Sequence, residues 1–188
     1  MHKSESSGSP KSLLRQQYRR ERSERYMEES WLHILDAHEF AGVKVVASYF
    51  SYGDEPQTTD INQELIRRGV TLLLPRLLPD NDLEWVRWDG SENSLVAHGK
   101  VSEPHGFAYA NLGAIEAVIV PALHIDRSGN RLGQGGGSYD RALSHLTGWK
   151  LALVHHGELT SDPLPIEDFD QKVDAAATPD LIARFSRM

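Results

Sequence analysis

Cysteine is absent from this 188-residue chain. That excludes disulfide frameworks, Fe–S clusters, Cys-ligated zinc and thiol nucleophiles. Long apolar runs are absent too. No segment approaches about 18 uninterrupted apolar residues, so the sequence predicts no membrane-spanning helix. Residues 1–10 are polar, lack the apolar stretch of a secretory signal, and read as a flexible tail. Together these absences fit a cytoplasmic protein. No HExxH and no Ser/His/Asp arrangement is found. The adjacent His155 and His156 point oppositely in a strand, which is poor spacing for a metal.

An excess of positive charge is also missing. The net charge is −7, which argues against a general nucleic-acid binder. The charge is unevenly spread. Residues 11–25 carry six Lys/Arg against Glu21 and Glu24, and residues 158–174 carry six acids against Lys172. A local basic stripe in an acidic protein suits a small anion, with a solvated helix face as the alternative.

What is present is a regular alternation of helix and strand signals, in a length that suits one domain over 11–188. Ser9-Pro10 is a helix start, and residues 11 to about 39 lack Gly and Pro, so one helix is expected until Gly42. Residues 43–50 read as a strand and 51–57 as a loop. Asp60-x-x-Gln63 resembles a capping box opening a second helix to Arg68. Strands follow at 71–74, ended by Pro75, and at 83–88. Residues 95–110 show no clear pattern. A buried-type strand at 115–120 is stopped by Pro121. A loop over 122–138, a helix from Tyr139 to about Leu146, a strand at 150–154, a short strand near 173–177 and a helical turn from Asp180 complete the expectation. This order implies βαβ units and a mainly parallel sheet covered on both faces, with ligands at the carboxyl ends of strands.

The stretch richest in chemistry is residues 120–141. Gly133, Gly135, Gly136 and Gly137 fall directly before a helix, where backbone N–H groups can approach an anion closely. Arg131 can clamp an oxygen anion. A Walker A loop and a dinucleotide fingerprint are both excluded, the latter because position 138 is Ser. Asp140 could complement the helix start or hold Mg²⁺ beside a polyphosphate, with Glu167, Asp168, Asp170 or Asp174 as a second acid. Lys11 and Arg15 share a helix face and could reach one phosphate tail. Gln57, Thr58, Thr59 and Arg76 lie near strand ends.

The run Val120-Pro121 … Asp126 … Gly129-x-Arg131-Leu132-Gly133-x-Gly135-x-Gly137-x-Tyr139-Asp140 closely resembles the signature of 5-formyltetrahydrofolate cyclo-ligases. Lys11-x-x-x-Arg15, Pro75-Arg76, Glu103-Pro104 and Asp170-x-Lys172-x-Asp174 fall in the expected order. The resemblance implies a three-layer α/β/α sandwich with a mostly parallel central sheet. It implies ATP- and Mg²⁺-dependent closure of 5-formyltetrahydrofolate to 5,10-methenyltetrahydrofolate, with ADP and phosphate released. Lys11 and Arg131 would be catalytic. Lys11, Arg15, Arg131, Leu132, Gly133, Gln134, Gly135, Gly136, Gly137, Ser138 and Tyr139 would hold ATP. Tyr52, Gln57, Gln134 and Tyr139 would meet the reduced folate, and Asp140 and Asp170 would bind Mg²⁺. The chain places Gln57 where the family usually has an acid, and Ser138-Tyr139 where it often has two aromatics. A monomer acting on small molecules, with no nucleic acid and no membrane, is expected. An ATP-using paralogue with another amide or formyl substrate, or a nucleotide- or folate-binding protein without turnover, are the alternatives.

Overall fold

The computed structural model describes residues 8–186. The expected tail over 1–10 lies outside the described residues up to residue 7, and Ser9 and Pro10 belong to the first helix instead. Helix α1 spans Pro10–Arg25, with Ser9 as its N-cap. After 3₁₀ turns at Leu32–Asp36 and His38–Phe40 come β1 (Val45–Ala47), α2 (Thr59–Arg67), β2 (Thr71–Leu77) and β3 (Leu83–Trp88). A hairpin of β4 (Leu95–His98) and β5 (Val101–Pro104) follows. Then come β6 (Ala117–Pro121), β7 (His124–Asp126), β8 (Arg131–Leu132), α3 (Ser138–Ser144), β9 (Trp149–Leu153), β10 (Leu159–Thr160), β11 (Ala175–Ala177) and β12 (Ile182–Arg184).

The central sheet has the order β12-β11-β9-β6-β1-β2-β3 among the described residues. Its five inner strands are parallel, and β12 and β3 pair antiparallel at the edges. Side chains alternate across it, as the period of a strand requires. Val46, Leu72, Leu74, Ile119 and Leu151 face Ile61 and Leu65 of α2 and Trp31, Ile34 and Phe40 of the 3₁₀ segment. Ala47, Leu73, Val118, Val120 and Ala152 face Ala142 and Leu143 of α3 and Ile125 of β7. The sheet is therefore the middle of the three expected layers.

Several boundaries differ from the sequence expectation, each for a local reason. The first helix ends at Arg25 rather than near residue 39. The chain leaves it to insert Trp31, which is buried and donates Nε1–H to the carbonyls of Val154 and Ala177. No capping box forms at Asp60, because α2 already starts at Thr59 and Gln63 bonds Gly90 instead. Pro75 lies inside β2 opposite Trp85, whose carbonyl turns away to accept from Tyr109. A proline at such a non-bonded pair removes no rung of the ladder.

The 122–138 segment is not all loop. Asp126 accepts from the amides of Ser128 and Asn130, and this turn folds β7 onto β8. Residues 95–104 resolve as the β4–β5 hairpin. The expected helical turn after Asp180 is the edge strand β12, pinned by Arg184 on Glu39 at 2.6 and 2.9 Å.

Gly148 joins α3 to β9 against the backbone at the start of β6. A Cβ there would lie 2.5 Å from the Ile115 carbonyl oxygen. Gly148→Ala is therefore expected to cost about 1–3 kcal/mol. A lower urea midpoint at unchanged m would show it, and an unchanged midpoint would refute it.

Candidate active site

Strand β1 has β2 on one side and β6 on the other, so the chain reverses its winding there. The loops after β1 and β6 diverge at that point and leave a crevice. A cleft of about 530 Å³ occupies it. Helix α1 and the glycine loop form one half, the 49–55 segment and the β4–β5 hairpin the other, and the acidic C-terminal loop closes one end.

Helix α1 turns charge, not apolar surface, toward the protein. Leu13 is exposed, while Lys11 and Arg22 are buried. Lys11, Arg15, Arg19 and Arg22 follow helical spacing and form one stripe. Lys11 Nζ donates to Glu167 Oε2 at 2.7 Å and to Asp170 Oδ2. Arg15 Nε donates to the Gly133 carbonyl at 2.9 Å. Arg19 grips Gln134 through its side chain and its carbonyl. Arg22 makes a two-pronged pair with Glu158 at 2.7 Å on each prong, with both side chains under 5 % exposed. Tyr18 stacks on His124 of β7 with ring centroids 3.6 Å apart. Lys11, Arg15 and the glycine loop thus meet at one cleft although more than 100 positions separate them in sequence.

The loop between β8 and α3 supplies donors. The amides of Gln134, Gly135, Gly136, Gly137 and Ser138 donate to no protein acceptor among the described residues. Gly135 (φ +112°) and Gly137 (φ +69°) occupy backbone regions that a side chain would strain. At Gly133 a Cβ would lie 2.6 Å from an Arg131 guanidinium nitrogen, so a side chain there would push that guanidinium aside. Arg131 bonds the Pro121 carbonyl and Asp140 Oδ1, each at 3.2 Å, and its buried Nε has no partner. A buried donor without a partner is costly, so an anion reaching it would gain. Leu132 is different. Its side chain is buried in the core and does not line the cleft.

The acidic loop folds back over the start of α3. The Gln171 amide donates to Asp140 Oδ1 at 3.0 Å, which brings Asp170 to the same cleft. The second oxygen of Asp140 accepts no hydrogen bond among the described residues. Asp170 is held by Lys11 and by the Glu167 amide. Burial works against the Lys11 charge, but Asp170 and Glu167 outweigh it and raise its pKa. No group of three or more His, Cys, Asp or Glu forms a ready cage among the described residues. Asp140 and Asp170 are the two carboxylates that could serve an ion such as Mg²⁺, which takes one or two carboxylates and completes its shell with phosphate oxygens and water.

The other half is aromatic. Tyr49, Phe50, Tyr52 and Tyr139 line it, and burial beside Glu55 raises the Tyr139 hydroxyl pKa. Gln57 does not line the cleft, and its Oε1 accepts from Ser51 instead. The acid that this loop does supply to the cleft is Glu55, two positions earlier, buried and accepting from the Tyr52 amide at 3.1 Å. Burial pushes its pKa up to about 7 against the lesser pull of the Tyr52 amide and Arg22. Sequence reasoning missed it by fixing on position 57. A Glu before Pro in a strand-end loop was the available signal. Arg76 also falls outside the cleft, paired with Glu84. The β4–β5 hairpin adds Glu103, fixed by the Leu77 amide and His98. The acidic loop adds Phe169, exposed 5.7 Å from the Lys11 ammonium.

A family model described as the 5-formyltetrahydrofolate cyclo-ligase family matches residues 11–179. The chain belongs to this family. The 5-formyltetrahydrofolate cyclo-ligase of Mycolicibacterium smegmatis is 32% identical over 146 residues, covering 72% of this chain and 74% of that protein. The Escherichia coli K12 protein of the same name is 29% identical, over 71% of this chain and 77% of its own. The structure of Aquifex aeolicus 5,10-methenyltetrahydrofolate synthetase superposes with a TM-score of 0.80 at 25% identity, covering 95% of this chain and 94% of that one. The mostly parallel α/β architecture is thus the fold of the cyclo-ligase family.

The Glu55 carboxyl gives a pH prediction. Its folded pKa of about 7 exceeds the ordinary carboxylate value. The folded state therefore keeps a proton that the unfolded chain releases, and stability falls as pH rises from about 4.5 to about 7. The full loss is about 3 kcal/mol. Glu55→Gln removes the charge and keeps an acceptor for Tyr52. Urea titrations are expected to show this variant more stable than wild type at pH 8 and similar at pH 5. Equal stability at both pH values would refute the burial of a carboxylate here.

Proposed function

We propose that the chain catalyses the ATP-dependent cyclisation of 5-formyltetrahydrofolate to 5,10-methenyltetrahydrofolate. The observation that carries this reading is one cleft with two unlike halves. Unpartnered loop amides and the cations Lys11, Arg15 and Arg131 suit a polyphosphate, and the tyrosine-lined half with buried Glu55 suits a planar, hydrogen-bonding ring. Membership of the family supports it.

The chemistry needs little from the protein beyond position and charge. The formamide oxygen is a poor leaving group. Transfer of the γ-phosphoryl group forms a bond from that oxygen to phosphorus and breaks the bond to the β-phosphate, releasing ADP. N10 then attacks the formyl carbon, the C–O bond breaks, phosphate leaves and N10 gives up its proton. Lys11 and Arg131 offset the charge spread over the transferring oxygens, and the loop amides fix the phosphates in line. Lys11 does so by exchanging Glu167 and Asp170 for phosphate. Asp140 and Asp170 would hold Mg²⁺, which when bound neutralises polyphosphate charge. Glu55, Tyr52 and Tyr139 orient the folate, with Gln134 at the boundary between the halves. The protein acts as a monomer in the cytoplasm.

Formation of ADP that requires 5-formyltetrahydrofolate tests the reading. Both substrates binding without turnover, or turnover only with another formyl or amide compound, would overturn it. The phosphate cradle has its own test. Both Gly135 and Gly136 have room for a Cβ, but only Gly136 has an ordinary φ, Gly135 lying at +112°. Gly136→Ala is expected to keep the KM for ATP within about twofold. Gly135→Asp, strained and carrying a like charge, should raise it about tenfold or more. Equal nucleotide affinity in the two variants would dismiss the cradle.

A further inference from the structure

His155 follows β9 and is buried, whereas its neighbour His156 is half exposed. The function described above uses neither. The His155 ring packs edge-on against Trp31, with centroids 5.1 Å apart, and against Tyr26 at 5.7 Å. Its backbone amide donates to Glu158 Oε2 at 2.7 Å, the carboxylate that also holds Arg22. Its Nε2 lies 2.9 Å from the carbonyl oxygen of Asp54. A carbonyl only accepts, so Nε2 carries the proton. The other ring nitrogen is 3.8 Å from Glu29, too far for a hydrogen bond.

Asp54 precedes Glu55 in a tight turn. The Glu55 amide closes the turn on the Tyr52 carbonyl at 3.2 Å, and the Glu55 carboxylate folds back onto the Tyr52 amide. Gly53, at φ +56°, makes the turn possible. These bonds are internal to residues 52–55. Among the described residues, the bond from His155 is the one that ties this turn to another element. On the far side of Glu55 the loop is held from within, by the Tyr49 hydroxyl on the Pro56 carbonyl at 3.1 Å and by Thr58 against Ser51 and Tyr49, so His155 is the anchor on the Asp54 side.

We propose that His155 is a positioning residue, which holds Glu55 in the folate half of the cleft through the Asp54 carbonyl and so sets affinity for the folate but not for ATP. This rests on the cyclo-ligase reading. The bond is worth about 0.5–1.5 kcal/mol, or roughly two- to tenfold in binding. The groups facing Glu55 are Tyr52 from its own turn, Arg22 from α1, Tyr49 beyond β1 and Tyr139 from α3. Tyr52 moves with the turn, whereas Arg22, Tyr49 and Tyr139 lie outside it. What changes is water access to the carboxylate, and water lowers a carboxyl pKa that burial has raised.

The test compares wild type with His155→Phe, which keeps the ring packing and loses the donor, and with His155→Gln, whose amide supplies a donor of similar reach. His155→Phe is expected to raise the KM for 5-formyltetrahydrofolate about three- to tenfold and leave that for ATP within about twofold. In the ligand-free protein, the carbon-13 titration of the Glu55 carboxyl should move down by about one pH unit. His155→Gln should restore both values. Should His155→Phe fail to fold, His155→Asn, too short to reach Asp54, gives the same comparison. An unmoved Glu55 titration with only a lowered melting temperature, or equal rises in both KM values, would overturn the proposal. If wild type itself forms no ADP with this folate, the reading of function fails. The Glu55 titration would still decide whether His155 is the peg.

Discussion

The buried pair between Arg22 and Glu158 is the interaction on which the cleft depends. Helix α1 offers almost no apolar face, so it cannot be held by burying hydrocarbon as α2 and α3 are. It is held by cations reaching acceptors in the body of the protein, and Arg22 is the one whose charge is most completely removed from water. Such a pair is stable only when every donor is satisfied, and here the guanidinium also bonds the Ala122 carbonyl while Glu158 takes the His155 amide. Once Arg22 is seated, helical spacing alone directs Arg19, Arg15 and Lys11 to the glycine loop and the acidic loop. The wall of the cleft is an electrostatic assembly on a hydrophobic frame.

That division explains what the sequence could disclose. The frame was legible. Val46, Leu72, Ile119 and Leu151 sit in short apolar runs whose period is that of strands, and the alternation with helices implied the parallel sheet. Asp126, Gly129, Arg131 and the glycines after it carried the family signature, and Lys11 and Arg15 were found by their spacing.

The misreadings have physical causes. Helix α1 was extended too far because Trp31 and Ile34 continue a helical period, yet Trp31 is needed at the ends of β9 and β11 to cap two carbonyls. Pro75 reads as a stop because the silent side of a strand is invisible before its neighbours are known. Glu55 was overlooked because burial of a carboxylate is a property of the fold, and the polar residues around it gave no hint that the turn is pressed inward. Leu132 lies within the signature but serves the core, which motif matching cannot separate from contact with a ligand.

The list of charges around the cleft carries a further meaning. Its lining holds three cations, Lys11, Arg15 and Arg131, against the four acids Glu103, Asp140, Glu167 and Asp170, with Glu55, at a pKa of about 7, adding part of a charge. Short contacts bind Lys11 to two of those acids and Arg131 to a third. At a distance beyond the Debye length such a surface exerts little pull on an anion, and closer in its sign is that of the anion itself. A polyphosphate arriving bare would be met by repulsion. One arriving with a divalent counter-ion already attached matches the excess of carboxylates. On the proposed reading, the resting charge balance of the cleft would favour the second over the first before any hydrogen bond to the nucleotide is made.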